Sequence, residues 1–280
     1  MDFRNYQDFN YMNALCFHSM NRIPNDIDLI VCIPRSGLIF GTLIGEYKSL
    51  PTISLFEFLS GVNTFKIRGA SRSPLFEKQP KHILLFDDAM GLGESMQTAK
   101  TKILEKFPDL KITTCVMFVE PYSVNKVDIA FKVFKDQLLP WNIMKRGIGC
   151  GCVDMDGFLC VDPTSNDTKT EEAYLNFIKN AKQKYVPDHK IKYIVSGRLE
   201  KYRKETEEWL KCHNIQYENL ILCPAKNNEE RRKMTPEKYK ADFYKKSKCL
   251  IFIESNYGEA KAIAKMTNMP VYCTDVCELL

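Results

Sequence analysis

Two short segments of this 280-residue chain hold residue types and spacings that can do chemistry. Asp154 and Asp156 stand one residue apart at the end of an apolar run, and Gly157 lets the chain turn away behind them. A carboxylate so placed can attack a phosphoryl group, while the second acid protonates a leaving alkoxide and later activates water. Acids this close need a counter-charge, and Mg²⁺ both offsets their repulsion and polarises phosphoryl oxygens. Far upstream, the apolar run Ile83–Phe86 leads into Asp87, Asp88 and the loop Gly91-Leu92-Gly93-Glu94-Ser95. Backbone N–H groups at a glycine loop that opens a helix form an anion site. The paired acids suit ribose hydroxyls, or the Mg²⁺ that accompanies a diphosphate. Ile33-Pro34-Arg35-Ser36-Gly37 is another strand-to-helix turn, with an arginine suited to a second anionic group.

Short apolar runs alternate with helical patterns throughout, which predicts parallel sheets with crossover helices. In the first half, strands are expected at Leu29–Ile33, Thr52–Phe56, Ile83–Phe86 and Ile112–Val119, and helices at Leu38–Tyr47 and Glu94–Phe107. The polar stretch Ser60–Lys81 has no periodicity, and a loop of that length in a compact domain is usually functional or disordered. Proline and glycine punctuate Leu138–Gly149, which reads as a linker. Beyond it, strands are expected at Gly151–Asp154, Lys192–Ser196, Leu220–Cys223, Leu250–Glu254 and Val271–Thr274. Helices are expected at Thr170–Lys184, Lys201–His213, Pro236–Lys246 and Gly258–Met266. The expected fold class is α/β, with two domains, 1–145 and 146–280, each a mostly parallel sheet with flanking helices. In such sheets ligands bind beyond the carboxyl ends of the strands, where every segment named above falls.

Hydrophobic residues make up 45% and charged residues 27%, the balance of a soluble globular protein. The net charge of +5 is mild, and the lysines of 179–192 and 226–248 are interleaved with acids and apolar residues. They read as solvated helix faces, so no nucleic-acid partner is expected. No run approaches the ~20 apolar residues of a membrane span, and Met1–Asn5 lacks the pattern of a signal peptide. The expected location is cytoplasmic. The 11 cysteines include no CxxC pair, and Cys32, Cys115, Cys249 and Cys273 sit in apolar runs as small hydrophobes, so zinc is not expected.

In order and spacing, the first half resembles the type I phosphoribosyltransferases over about residues 25–135. Pro34–Gly37 resembles their pyrophosphate loop, Ser60–Lys81 lies where their catalytic loop does, and Ile83–Ser95 resembles their signature for phosphoribosyl pyrophosphate (PRPP). The resemblance implies Arg35, Ser36 and Gly37 at the diphosphate, and Asp87 and Asp88 at the ribose hydroxyls. It further implies Gly91, Leu92, Gly93, Glu94 and Ser95 around the 5-phosphate, and Arg68 or Arg72 as the loop cation over the leaving pyrophosphate. Leu92 and Ser95 stand where the family usually has threonines. Gly91 stands where purine-salvage members often carry an acid, which argues against a purine acceptor.

The second half, about 150–280, resembles the haloacid-dehalogenase-type (HAD) phosphatases. The resemblance implies Asp154 as nucleophile, Asp156 as acid and base, Ser196 as a phosphoryl-binding hydroxyl, and Lys240 or Lys238 as the family's lysine. Asp154, Asp156 and Glu254 would hold Mg²⁺, Glu254 standing where the family more often has aspartate and Glu259 assisting. The interval Phe158–Ile194 is too short for a full cap, so an open phosphatase site with little selectivity is expected.

Fusions of these two kinds resemble dual-domain ribofuranosyltransferases of bacterial polysaccharide synthesis. The implied activity is phosphoribosyl transfer from PRPP to an acceptor, then removal of the 5-phosphate. A glycan is the favoured acceptor, a lipid-linked one being a candidate, and a homodimer is compatible with the sequence. The alternatives are synthesis of a nucleoside-like metabolite, base salvage, or a PRPP-sensing regulatory protein with a phosphatase domain.

Overall fold

The computed structural model describes residues 3–61 and 80–280. Two compact units divide it: Gln7–Gln137, and Leu138–Leu280 together with the N-terminal residues up to Tyr6. The α/β class expected from the sequence is the one observed, with one parallel and one mostly parallel sheet, each flanked by helices.

The unit Gln7–Gln137 runs α1 (Phe9–Ser19), β1 (Leu29–Cys32), α2 (Gly37–Lys48), β2 (Thr52–Ser54), α3 (Leu55–Ser60), β3 (His82–Met90), α4 (Glu94–Lys106), β4 (Lys111–Val119) and β5 (Ile129–Val133). Its sheet has the order β2-β1-β3-β4-β5, all parallel. Both faces of a parallel sheet are covered, so its strands read as continuous apolar runs, and Leu29–Cys32 and Ile83–Phe86 are buried throughout. The expected elements of this unit keep their bounds to within one residue, except at two ends. Thr52–Phe56 is a strand only to Ser54. That serine caps α3 in a capping box, accepting from the Glu57 N–H while the Glu57 side chain accepts from the Ser54 N–H. The strand expected to stop at Phe86 continues to Met90, so Asp87 and Asp88 lie within β3.

In the second unit, the stretch read as a linker is helical: α5 (Pro140–Asn142), a π-helical turn (Ile143–Gly147) and α6 (Ile148–Cys150). Leu139, Ile143 and Ile148 are buried, which a linker would not allow. There follow β6 (Cys152–Val153), α7 (Glu171–Asn180), β7 (Ile191–Leu199), α8 (Arg203–Cys212), β8 (Tyr217–Cys223), α9 (Asn228–Met234), α10 (Pro236–Ser247), β9 (Phe252–Glu254), α11 (Tyr257–Thr267), β10 (Val271–Cys273) and β11 (Glu278–Leu279). The sheet order is β11-β10-β9-β6-β7-β8, with only β11 antiparallel. Alternation divides the side chains between two cores. Val153, Ile194 and Ile253 face one side with Trp209 and Phe177, while Cys152, Val195 and Phe252 face the other with Tyr244 and Ile263. The N-terminal residues join this unit: Tyr6 pairs with Leu138, whose N–H donates to the Asn5 carbonyl at 3.0 Å, and the Tyr6 ring meets Tyr272 edge-on.

Strand order fixes where ligands can bind. In the first sheet the chain passes from β1 out to β2 and returns on β1's other side as β3; in the second it passes from β6 to β7 and β8 and returns as β9. Connections diverge at β1/β3 and at β6/β9, and a crevice opens beyond the carboxyl ends of the strands at such a point.

Candidate functional site

At the β1/β3 divergence, Pro34–Gly37 leaves β1 beside the acids of β3. Ser36 Oγ donates to Asp88 Oδ1 at 2.7 Å, and the Asp88 N–H donates to Asp87 Oδ1 at 2.9 Å. Gly37 is needed for close approach, since a Cβ there would lie 3.1 Å from Asp87 Oδ1 and 3.2 Å from the Phe86 carbonyl. The structure thus brings Ser36, Gly37, Asp87 and Asp88 together. Burial, then the charge of Asp88, push the Asp87 carboxyl up to about 8. Two carboxylates in one half-buried site need hydroxyl donors or a cation before both can be ionised.

The loop beyond β3 turns at Gly93, which takes a left-handed φ of 88° and caps α4 without any side-chain hydrogen bond. Gly91, Leu92, Glu94 and Ser95 are exposed, and Lys126 Nζ ties the loop down through the Leu92 carbonyl at 3.0 Å. The start of the 13-residue helix α4 is therefore open to an anion. Arg35 is exposed at the same end of the sheet. Arg68 and Arg72 lie outside the described residues.

At the β6/β9 divergence the acids are buried. Lys240, reaching in from α10, is only 3% exposed and bonds three carboxylates: Glu254 Oε2 at 2.7 Å, Glu259 Oε2 at 2.8 Å and Asp154 Oδ2 at 3.0 Å. Lys238 is exposed, so Lys240 is the lysine in place. Burial pulls the Lys240 ammonium down, but the three carboxylates outweigh it and hold it well above its ordinary value. Burial, followed by the charge of Glu254, raises Asp154 well above the carboxylate range, because three acids share one ammonium. Glu254 Oε1 accepts from the N–H groups of Ser255 and Asn256. Ser196, expected to end its strand, lies within β7, which runs on to Leu199, and it has no exposure at all.

Asp156 has a different partner. Arg198 Nε donates to both its oxygens at 3.1 Å and Nη2 to Oδ1 at 2.6 Å, a bidentate contact made by a fully buried guanidinium. The ring of Phe177 lies 5.7 Å from that guanidinium. Arg198 carries no role in the sequence expectations; its signal is an arginine inside an apolar strand, since β7 continues through it to Leu199. Gly157 turns the chain with φ 81°, and a Cβ there would lie 2.2 Å from Ser255 Oγ. Ser255 Oγ in turn donates to the Asp156 carbonyl at 3.4 Å.

No three His, Cys, Asp or Glu side chains among the described residues are grouped as a ready cation cage. The charges do fit a divalent cation. Four acids (Asp154, Asp156, Glu254 and Glu259) face two cations, Lys240 and Arg198, leaving the cluster short of positive charge.

No protein-family profile and no curated protein matches the chain. Among solved structures it is similar to a Helicobacter pylori xanthine-guanine-hypoxanthine phosphoribosyltransferase, with 16% identity, TM-score 0.38, and 49% of this chain and 94% of that one covered. It is also similar to a purine phosphoribosyltransferase from Pyrococcus horikoshii, with 16% identity, TM-score 0.35 and coverage of 49% and 91%. A third is the adenine phosphoribosyltransferase of Trypanosoma brucei, with 13% identity, TM-score 0.30 and coverage of 46% and 64%. At this degree of similarity none of them identifies the chain, and its chemistry is read from its own residues. No helix among the described residues is long and apolar enough to cross a membrane.

Proposed function

We propose that the chain transfers a 5-phosphoribosyl group from PRPP to an acceptor and then removes the 5-phosphate, for a net transfer of ribose. The reading is supported by one observation above all: each sheet carries, at its own strand-order divergence, a carboxylate pair with the partners its step needs.

In the first step an acceptor atom attacks the anomeric carbon of PRPP, the bond to the diphosphate oxygen breaks, and pyrophosphate leaves. Asp87 and Asp88 hold the ribose hydroxyls, the Gly91–Ser95 loop holds the 5-phosphate, and Arg35–Gly37 hold the diphosphate. In the second step an Asp154 oxygen attacks the phosphorus, the bond to the ribose C5 oxygen breaks, and Asp156 gives that oxygen its proton. Water, losing a proton to Asp156, then attacks the phosphorus, and the bond to Asp154 breaks to release phosphate. Ser196 and Lys240 hold the phosphoryl oxygens, and Arg198 fixes the direction of the Asp156 carboxylate. Asp154, the Asp156 segment and Glu254 would hold Mg²⁺, which would offset their charge and polarise the phosphoryl group. A glycan acceptor and a cytoplasmic setting belong to the same reading, by the resemblance to ribofuranosyltransferases.

Asp154→Asn protein supplied with PRPP and acceptor is expected to release pyrophosphate and accumulate a 5-phosphoribosylated product by mass spectrometry. Full phosphatase turnover in this variant would remove Asp154 from the nucleophile's role. No pyrophosphate release from the unaltered protein with any acceptor would favour a PRPP sensor instead.

A further inference from the structure

Resting on the phosphatase reading above, we propose that a basic pocket beside Ser196 binds a second anionic group on the substrate. The second unit would then select phosphomonoesters whose leaving alcohol carries another phosphate.

The pocket has a volume of about 610 Å³, within the range that encloses a whole small molecule and far beyond the needs of one phosphoryl group. Two buried aromatic residues, Tyr174 and Tyr202, wall it, their rings 5.2 Å apart and edge to face. Four cations line it: Lys169, Lys201, Arg231 and Arg232. The lining acids are already engaged, Glu171 by Lys201 and Glu229 by Lys233. Lys169 bonds the side chain of Asn166. Neither Arg231 nor Arg232 has an ion-pair partner among the described residues, and Arg231 is half-buried. Positive charge that is concave and, at the two arginines, without an ion-pair partner attracts an anion, and guanidinium groups match phosphate geometry.

Gly197, the residue after Ser196, lies against this wall: a Cβ there would be 3.4 Å from Arg231 Nη2 and 3.8 Å from Pro236 Cβ, ordinary contact distances that put the pocket next to the phosphoryl-binding end of β7. Tyr174 lies between the two sets of charges: burial raises its hydroxyl, and Asp156, Arg198 and Arg231 are all near enough to act on it. One segment supplies both sites, since α9 carries Arg231 and Arg232 and α10, next in the chain, carries Lys240. The short interval that cannot form a full cap still contributes Lys169 and Tyr174 to the wall. A pocket of this kind departs from the unselective open site expected from the short interval, and a comparison of substrates separates the two.

The test compares, on the full chain, ribose 5-phosphate with ribose 1,5-bisphosphate, and adenosine 5′-monophosphate with adenosine 3′,5′-bisphosphate. At least one bisphosphate should exceed its monophosphate tenfold or more in kcat/KM. Which one does so distinguishes a second phosphate on the anomeric carbon from one elsewhere on a nucleoside. Arg231→Ala with Arg232→Ala should bring that ratio close to one. Ratios near one for both pairs in the unaltered protein, or a ratio the arginine pair does not move, would overturn the pocket. Calorimetry of the same bisphosphates on Asp154→Asn protein, with and without the arginine pair, separates the two readings. Without any hydrolysis the phosphatase assignment fails, yet tenfold weaker binding on loss of the arginines would still establish the pocket. Binding that does not depend on them would end it.

Discussion

Replacing Lys240 by Met removes the one ammonium shared by Asp154, Glu254 and Glu259 while keeping an apolar stem of similar length. Its three contacts, at 2.7 to 3.0 Å, are made by a side chain only 3% exposed, so bulk solvent screens them little. Breaking a buried ion pair by deleting one partner costs about 3–5 kcal/mol. With a urea slope of about 2 kcal/mol per molar, the unfolding midpoint should fall by about 2 M. Both tryptophans, Trp141 and Trp209, belong to the Leu138–Leu280 unit, so their fluorescence follows this unit alone. The pH dependence has a definite sign. Lys240 is held above its ordinary value, so its contribution is fully present at neutral pH and is lost only at strongly alkaline pH. In the variant the three acids are uncompensated when ionised. The deficit should be largest at neutral pH and shrink as pH falls and the carboxyls take up protons. A midpoint shift under about 0.5 M at pH 7, equivalent to about 1 kcal/mol, would refute the view that these acids depend on Lys240. Phosphatase turnover should be lost in the same variant.

Asp87→Asn with Asp88→Asn should weaken PRPP binding by tenfold or more, at about 1.5–3 kcal/mol for each charge-assisted bond. Hydrolysis of a small phosphate monoester should stay nearly unchanged, and unaltered PRPP affinity by calorimetry would place the donor elsewhere. With its carboxyl pushed up to about 8, Asp87 is protonated at pH 7 in the free protein, and ribose hydroxyls donate best to the ionised form. PRPP binding at pH 7 should therefore release a proton and tighten as pH rises toward 8. A binding enthalpy that does not vary with buffer ionisation would contradict this. By the same shift, Asp87 favours the folded state most in acid, and that contribution is lost as pH climbs from the ordinary carboxylate range toward 8. Gly157→Ala would place a Cβ 2.2 Å from Ser255 Oγ at a φ of 81°. It should cost about 1–3 kcal/mol and stop hydrolysis while leaving PRPP affinity intact, and full activity would show that the turn can relax.

Much of both sites was legible because their residues sit at chain turns, where type and spacing survive without knowledge of packing. Ser36, Gly37, Asp87 and Asp88 meet because parallel strands deliver their carboxyl ends to one edge, and the apolar runs alone reveal those strands. Long-range partners were less accessible. Lys240 and Lys238 are two residues apart on one helix, and only burial separates them. Arg198 could be read as a surface residue following Ser-Gly, since its value lies in the contact with Asp156, 42 positions away. Local competition explains other differences. Thr52–Phe56 has strand-like composition, yet the Ser54–Glu57 capping box wins at its end. The prolines and glycines of Leu138–Gly149 signal a linker, while Ile143 and Ile148 are drawn into the core by their apolar area. Nothing in composition announced that Phe3–Tyr6 would join the second unit, because that pairing is set by partners more than 130 residues downstream.

That pairing also bears on how the protein is made. Tyr6 meets Leu138 and Tyr272, and Phe3 is buried in the second unit's core. During synthesis Gln7–Gln137 emerges whole and can fold while the residues ahead of it still wait for their partners. Leu138 follows directly, but at about 5–20 residues per second the wait for Tyr272 lasts seconds to tens of seconds more. The early segment is a thread left loose until the last stitch. Expression of residues 138–280 alone should yield a second unit that lacks this seam and is more easily cut by proteases than the same unit in the intact chain.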